Sequence, residues 1–121
     1  MEDHDSQSGQ LKVRTKAFAV RVVRVFRALP NRPDAQVLGK QLLRSGTSVA
    51  ANYRAACRAR SKAEFVAKIG VVTEESDETV FWLELMIETG VLPAKKLETL
   101  LTEAQELTAI FTASHNTSRG R

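Results

Sequence analysis

The stretch at residues 42–65 has the sequence LLRSGTSVAANYRAACRARSKAEF. Its first half is a run of small residues, 45–51, and helix propensity alone favours a loop there. The positions around that run argue against a loop, because they recur at helical spacing on one face: Leu38, Leu42, Ser45, Val49, Asn52, Tyr53 and Ala56. We therefore predict a helix whose small residues allow a neighbouring helix to approach closely.

The second half of the stretch predicts the start of the next helix. Ser61 is a suitable N-cap, and Glu64 stands three residues later, as in a capping box. A turn is therefore expected just before Ser61, so that the two helices pack side by side.

Three segments resemble one known family: RSGTS followed by ANYR, then SKAEF, then DETVFWLE at residues 77–84. It is the four-helix-bundle family of proteins encoded in intervening sequences of 23S ribosomal RNA genes, and the likeness spans residues 11–111. The resemblance implies a small oligomeric helical protein. It also implies kinship with accessory proteins of reverse transcriptases in diversity-generating retroelements. It brings no catalytic residues.

A chain of 121 residues has room for one domain with its own core. The lone cysteine, Cys57, excludes an internal disulfide and suits a reducing compartment. The first residues are acidic and polar, unlike a signal peptide, and no apolar run approaches the ~20 residues that span a bilayer. We expect a cytoplasmic protein with no membrane contact.

Hydrophobic periodicity predicts an all-α, up-down-up-down four-helix bundle over residues 10–114. The four helices are expected at about residues 11–28, 33–59, 61–88 and from Pro93 onward, with Gly90 capping the third. Residues 1–9 are expected to form a disordered tail, and residues 115–121 a flexible one.

Charge divides the sequence into two halves. Residues 11–70 carry fourteen Lys or Arg and two acidic residues, whereas residues 71–114 carry two Lys and nine acidic residues. This asymmetry indicates that one half contacts nucleic acid or that one half docks onto the other. A solvated surface without a partner is the plainer alternative.

The basic residues are the strongest functional signal. They form one outward stripe on helix 2, made of Lys40, Arg44, Arg54 and Arg58, and a second group on the outer side of helix 1, made of Arg14, Arg21, Arg24 and Arg27. Arginines separated by small side chains can follow a phosphate backbone. Because no aromatic residues alternate with them, base stacking and sequence readout are not expected.

Catalytic and metal chemistry lack the residues they need. Both histidines, His4 and His115, fall in the expected tails, so neither a di-iron site nor activation of Ser45, Ser48 or Cys57 is supported. We predict no metal, no cofactor and no enzymatic activity. Asn52, near the core face, is expected to pair with Glu75 or to bond Ser45 or Ser48.

Two apolar stripes would be left exposed on an isolated bundle. Helix 1 carries Val13, Val20 and Val23 among arginines, and helix 3 carries Val71, Phe81, Trp82 and Leu85 among Glu74 and Glu78. The stripes differ in their charged neighbours, so head-to-tail contact between copies matches them better than a two-fold dimer. Such contacts close into a ring or continue as a fibre. The family resemblance implies a pentameric ring. Alternatively, helix 4 covers Phe81 and Trp82 within one bundle.

Together these features predict a non-enzymatic homo-oligomeric bundle that binds nucleic acid, RNA first, weakly and without sequence preference. The rival interpretation is a protein-interaction adaptor, such as a helper of a reverse transcriptase, whose arginines meet an acidic protein.

Overall fold

The computed structural model describes residues 6–120, and within them the chain forms four long helices. They are α1 (Gln7–Ala28), α2 (Pro33–Ala56), α3 (Lys62–Thr89) and α4 (Glu98–Ser118), and a 3₁₀ turn (Ala94–Lys96) precedes α4. Helix α2 packs between α1 and α3, and α4 packs on α3, whereas α1 and α4 touch sparsely. The predicted all-α up-down-up-down bundle is confirmed.

The helix ends follow local capping chemistry. Ser61 accepts a hydrogen bond from the backbone N–H of Glu64 at 3.0 Å, as predicted. The Glu64 carboxylate, however, reaches the N–H of Arg60 rather than that of Ser61. Gly90 ends α3 in the left-handed conformation, with φ of 70°, which glycine adopts without strain.

Four helix boundaries differ from the expected ones. Helix α4 begins at Glu98 rather than at Pro93, because the residues after Pro93 form the 3₁₀ turn. Helix α1 begins at Gln7 because Ser6 caps it, accepting from Gly9 N–H at 3.0 Å, so the helix includes residues expected in the tail. Helix α2 ends at Ala56, three residues early. Helix α4 continues to Ser118, past the point where fraying was expected, and its last turn holds His115 next to Gly70 of α3. The rest of the expected N-terminal tail, residues 1–5 with His4, and Arg121 lie outside the described residues.

One side of the small-residue segment of α2 packs closely against a neighbouring helix, as predicted. Ser45 and Gly46 are buried, and a Cβ added to Gly46 would lie 2.8 Å from Cγ2 of Val22 on α1. Gly39 is equally confined, against Phe26 and Leu29. Each glycine therefore marks a point where α1 and α2 pack at close range.

Hydroxyl groups join the helices inside the core. The side chains of Ser45 and Thr79 are hydrogen-bonded at 2.9 Å between α2 and α3, and those of Ser76 and Thr108 at 2.6 Å between α3 and α4. Within the described residues no buried side-chain nitrogen or oxygen lacks a partner. These pairs satisfy buried polar groups, which would otherwise cost stability.

The Asn52 amide donates to the Ser48 carbonyl at 3.0 Å and to the Ser48 hydroxyl at 2.8 Å. The predicted link to Ser48 is therefore present. Glu75 bonds Arg44 instead of Asn52. None of the described helices has the length and apolar character needed to cross a membrane.

Candidate nucleic-acid interface

A basic groove lies on the outer side of α1 and α2, with a volume of about 610 Å³. Its floor is small or apolar, made of Val13, Thr47, Ala50 and Ala51, and its cationic rim is Lys12, Lys16, Arg54 and Arg58. The antiparallel packing of the two helices places the start of α1 beside the end of α2 and so brings these cations together. An uncharged floor with cations around it fits an anionic chain better than an apolar ligand.

Five of the eight predicted cations remain available to an external anion: Arg24, Arg27, Lys40, Arg54 and Arg58. All five are exposed, and within residues 6–120 none of their side chains forms a hydrogen bond or an ion pair. Exposed, unpaired guanidinium and ammonium groups are the groups that contact phosphates. The predicted α2 stripe is therefore present at both of its ends.

The stripe is interrupted at Arg44, which turns toward α3. Its guanidinium bonds the Glu75 carboxylate at 3.0 Å and also the Glu78 carboxylate. Hydrogen bonding to Glu78 raises the pKa of Arg44 above its ordinary value. Arg44 thus joins α2 to α3. The other members of the predicted stripe, Lys40, Arg54 and Arg58, face solvent.

Two predicted cations on α1 contact α4 instead. Arg14 bonds both oxygens of Glu103, at 2.7 and 2.8 Å, and one oxygen of Glu106, and Arg21 donates to the Thr99 hydroxyl at 2.9 Å. The hydrogen bond from Arg14 holds the pKa of Glu103 below its ordinary value, against the effect of burial. These bonds join α1 to α4, two helices that otherwise touch sparsely.

Sequence reasoning missed Lys12 and Lys16. They stand four residues apart and therefore share one side of α1. That side faces the seam with α2 rather than the outer face on which the arginines were sought. Their four-residue spacing is a usable signal, but it points to the groove only when α2 is known to pack beside α1.

Two of the four predicted apolar residues of α3 are exposed, and the other two, Trp82 and Leu85, are half-buried. Phe81 is 52% exposed and Val71 39%. Trp82 is half-buried: its ring lies edge-on to Phe81, with centroids 4.9 Å apart, and its Nε1–H donates to Glu78 at 2.9 Å. Helix α4 therefore does not cover Phe81.

A shallow apolar hollow adjoins this face. It is lined by Pro33, Asp34, Val37, Leu38, Leu85 and Thr89, and Val37, which was not anticipated, is 61% exposed. On α1, Val13 and Val20 are exposed at 55% and 41%, and Val23 is half-buried. The exposed apolar residues thus lie on α1 and α3, where the two stripes were predicted, and also on α2, where Val37 was not anticipated.

Within residues 6–120, no three His, Cys, Asp or Glu side chains are grouped so that they could hold a metal ion. Cys57 lines a crevice of about 390 Å³ at the end of the bundle together with Tyr53 and Phe65. The basic groove remains the best-defined candidate site.

The sequence matches the family described as 23S rRNA-intervening sequence protein over residues 10–113. The chain belongs to this family. The match confirms the resemblance carried by the RSGTS, SKAEF and DETVFWLE segments. It covers all four helices apart from the outermost turns of α1 and α4.

A crystal structure from the S23 ribosomal protein family, of a Bacteroides thetaiotaomicron protein with unknown function, is similar to this bundle. The sequences are 36% identical, the alignment covers 86% of this chain and 96% of the other, and the TM-score is 0.79. No functionally curated protein matches the sequence significantly. Membership of the 23S rRNA-intervening sequence family and the similar crystal structure thus agree on the four-helix fold.

Proposed function

We propose that this member of the 23S rRNA-intervening sequence family is a non-enzymatic, homo-oligomeric bundle that binds nucleic acid, RNA in particular, through backbone phosphates on the α1–α2 face. The basic groove is the observation that carries the proposal. Its rim includes Lys16, Arg54 and Arg58, which are exposed and project from two helices around an uncharged floor. Cations in that arrangement replace the counterions of a phosphate backbone.

The chemistry of this face favours phosphates over bases. The aromatic residues of α1 and α2 do not offer stacking platforms, since Phe18 and Tyr53 are buried and Phe26 packs against Gly39. Sequence-tolerant binding of single strands relies on such platforms. Backbone contacts position a nucleic acid without selecting its sequence, so weak and non-specific binding is expected.

Fluorescence anisotropy with mixed-sequence RNA and DNA at several salt concentrations tests the proposal. We expect log K to fall with log salt at a slope of about three to five, since each phosphate contact contributes ~0.7 to ~0.9. Arg54→Ala with Arg58→Ala should lower that slope. Lys95→Ala with Lys96→Ala is the matched control, because these exposed lysines lie in the connection between α3 and α4. No binding at micromolar protein, or an unchanged slope in the Arg54/Arg58 variant, refutes the proposal.

The alternative is that the same cations bind an acidic protein. The chain would then act as an adaptor, for example one that assists a reverse transcriptase. A neighbouring reverse-transcriptase gene with template and variable repeats would favour the adaptor. In that case RNA should bind no more tightly than a polyglutamate chain of equal charge, which presents carboxylates without a nucleic-acid backbone.

We further propose that copies of the chain associate head to tail into a ring, with a pentamer as the expected size. The exposed Phe81 and Val71 on α3 lie among acidic residues, including the unpaired Glu74. On α1 the exposed Val20 is one helical turn from Arg24, and the exposed Val13 lies beside Lys16 in the basic groove. Opposite charges at the two surfaces disfavour pairing like with like. Val13 also forms part of the groove floor. The ring contact and the nucleic acid would therefore use the same part of the surface of α1.

A further inference from the structure

The exposed, unpaired cations of the α1–α2 face fall into two groups with neutral surface between them. The groove cluster is Lys16, Arg54 and Arg58, at the start of α1 and the end of α2. The distal cluster is Arg24, Arg27 and Lys40. Its members come from one end of the helix pair, because Gly39, next to Lys40, packs against Phe26, next to Arg27.

Two cations that lie between the clusters in the sequences of α1 and α2 bond to other helices. Arg44 is held by carboxylates of α3, and Arg21 is bonded to Thr99 of α4. Between the clusters, this face of α2 carries small side chains, including Thr47 and Ala51 on the groove floor. From Lys40 to Arg54 the helix rises about 21 Å, at 1.5 Å per residue.

We propose that this face binds double-stranded RNA, with each cluster on the phosphates of a different strand and the neutral middle over the minor groove between them. The proposal rests on nucleic-acid binding by the same surface and specifies the form of nucleic acid. A duplex presents two phosphate rows separated by a groove, which matches two separated clusters. A single strand presents one continuous row and depends on aromatic stacking, which this face lacks.

The shape of the face favours an A-form duplex. Two helices packed side by side form a broad surface, whereas the major groove of B-form DNA, ~12 Å wide, admits a single protruding helix. The minor groove of A-form RNA is wide and shallow and exposes phosphates and 2′-hydroxyls to contact by shape. A broad face with cations at its two ends can therefore lie across that groove without entering it.

Competition anisotropy with one mixed-sequence RNA duplex, its separated strands and the corresponding DNA duplex tests the inference at low salt. We expect the RNA duplex to bind several-fold more tightly than the other ligands. Two charge-reversal pairs probe the clusters: Arg27→Glu with Lys40→Glu, and Arg54→Glu with Arg58→Glu. Each should weaken duplex binding about tenfold or more, beyond the effect of Lys95→Glu with Lys96→Glu, which changes the net charge equally. Circular dichroism checks that the bundle persists.

The outcomes separate this inference from the proposed function. Strands or duplex DNA binding as tightly as duplex RNA, or sensitivity to only one of the two clusters, overturns the double-stranded RNA assignment and leaves nucleic-acid binding in place. No binding of any nucleic acid overturns both. Tightest binding of duplex RNA, with both clusters required, supports both.

Discussion

Gly46 of α2 lies so close to Val22 of α1 that an added Cβ would be 2.8 Å from Cγ2 and 3.0 Å from Cγ1. Both residues are buried, and a branched valine in a filled core has little freedom to retreat. The close approach of α1 and α2 at this point also sets how far apart the cations on their outer sides lie. Gly46 therefore couples core packing to the geometry of the basic groove.

Substitution of Gly46 should destabilise the protein even though glycine is a poor helix former. Overpacking costs ~1–3 kcal/mol, and the gain in helix propensity on changing Gly to Ala is about 1 kcal/mol. We expect Gly46→Ala to lose between about 0 and 2 kcal/mol in the free energy of unfolding, and Gly46→Leu to lose more. Denaturant unfolding measures both.

Gly70→Ala is the matched control for Gly46. A Cβ at Gly70 would meet only the imidazole of His115, at 3.2 Å, and that side chain is half-buried and able to turn away. The propensity gain should then dominate and stabilise α3 by up to about 1 kcal/mol. A Gly46→Leu variant as stable as the unsubstituted protein would show that α1 and α2 are not closely packed.

Trp82, the protein's one tryptophan, donates a hydrogen bond to Glu78 and should therefore report on the charge of that carboxylate. The hydrogen bond from its indole, followed by that from Arg44, holds the pKa of Glu78 below the ordinary 4.5. A lowered folded pKa contributes stability above 4.5, and that stability is lost as pH falls through the folded pKa. Since Arg44 is exposed and Glu78 is only partly buried, water screens the pair, and we expect the loss to be under about 1 kcal/mol.

Tryptophan fluorescence tests this assignment directly. The emission of Trp82 should change with a midpoint below pH 4.5, while far-ultraviolet circular dichroism stays constant. Glu78→Gln should remove the change, because the amide does not titrate. Asp77→Asn alters an adjacent, exposed carboxylate and should leave the change intact. A titration that persists in Glu78→Gln would assign the signal to another group.

The fold could be predicted from the sequence because the hydrophobic periodicity and the helix-capping signals agreed. The 3.6-residue periodicity, the Ser61 cap and the left-handed Gly90 all indicated the same four helices. The small run around Gly46 was correctly placed in a helix because its neighbours, Leu42 and Val49, continued the core face.

The candidate site was only partly predictable. A helical wheel identifies Arg44 and Arg54 as outward residues, but it does not show which carboxylates of another helix come within reach. Arg44 was thus assigned to the surface stripe, although Glu75 and Glu78 hold it. Lys12 and Lys16 were missed for the same reason, since the groove exists only once α1 and α2 are packed.

Self-association should depend on the exposed face of α3. Phe81→Glu with Leu85→Glu places two charges in an apolar, acid-rimmed surface, so we expect the ring to dissociate to monomers. Multi-angle light scattering at tens of micromolar measures the mass. Ala109→Glu with Thr112→Glu, on the exposed side of α4, adds the same charge and should leave the ring intact. A monomeric unsubstituted protein, or a ring that survives the Phe81/Leu85 substitutions, contradicts the proposed contact.

Nucleic acid and self-association should compete, because both proposed contacts include Val13, which is exposed and lines the basic groove. If α1 of one copy packs against α3 of the next, the start of the basic groove is covered in the ring. Adding RNA duplex should therefore lower the mass of the assembly. At protein concentrations that favour the ring, RNA affinity should fall.

The two charge-matched variants make this competition measurable. Phe81→Glu with Leu85→Glu and Ala109→Glu with Thr112→Glu lower the net charge equally, so their long-range repulsion of RNA is similar. Only the first exposes α1 by preventing assembly. At high protein concentration the Phe81/Leu85 variant should bind RNA duplex more tightly than the Ala109/Thr112 variant, and the difference should vanish on dilution below the assembly range. Equal affinities at all concentrations would show that the ring contact leaves the basic groove open, and the shared use of Val13 would then be wrong.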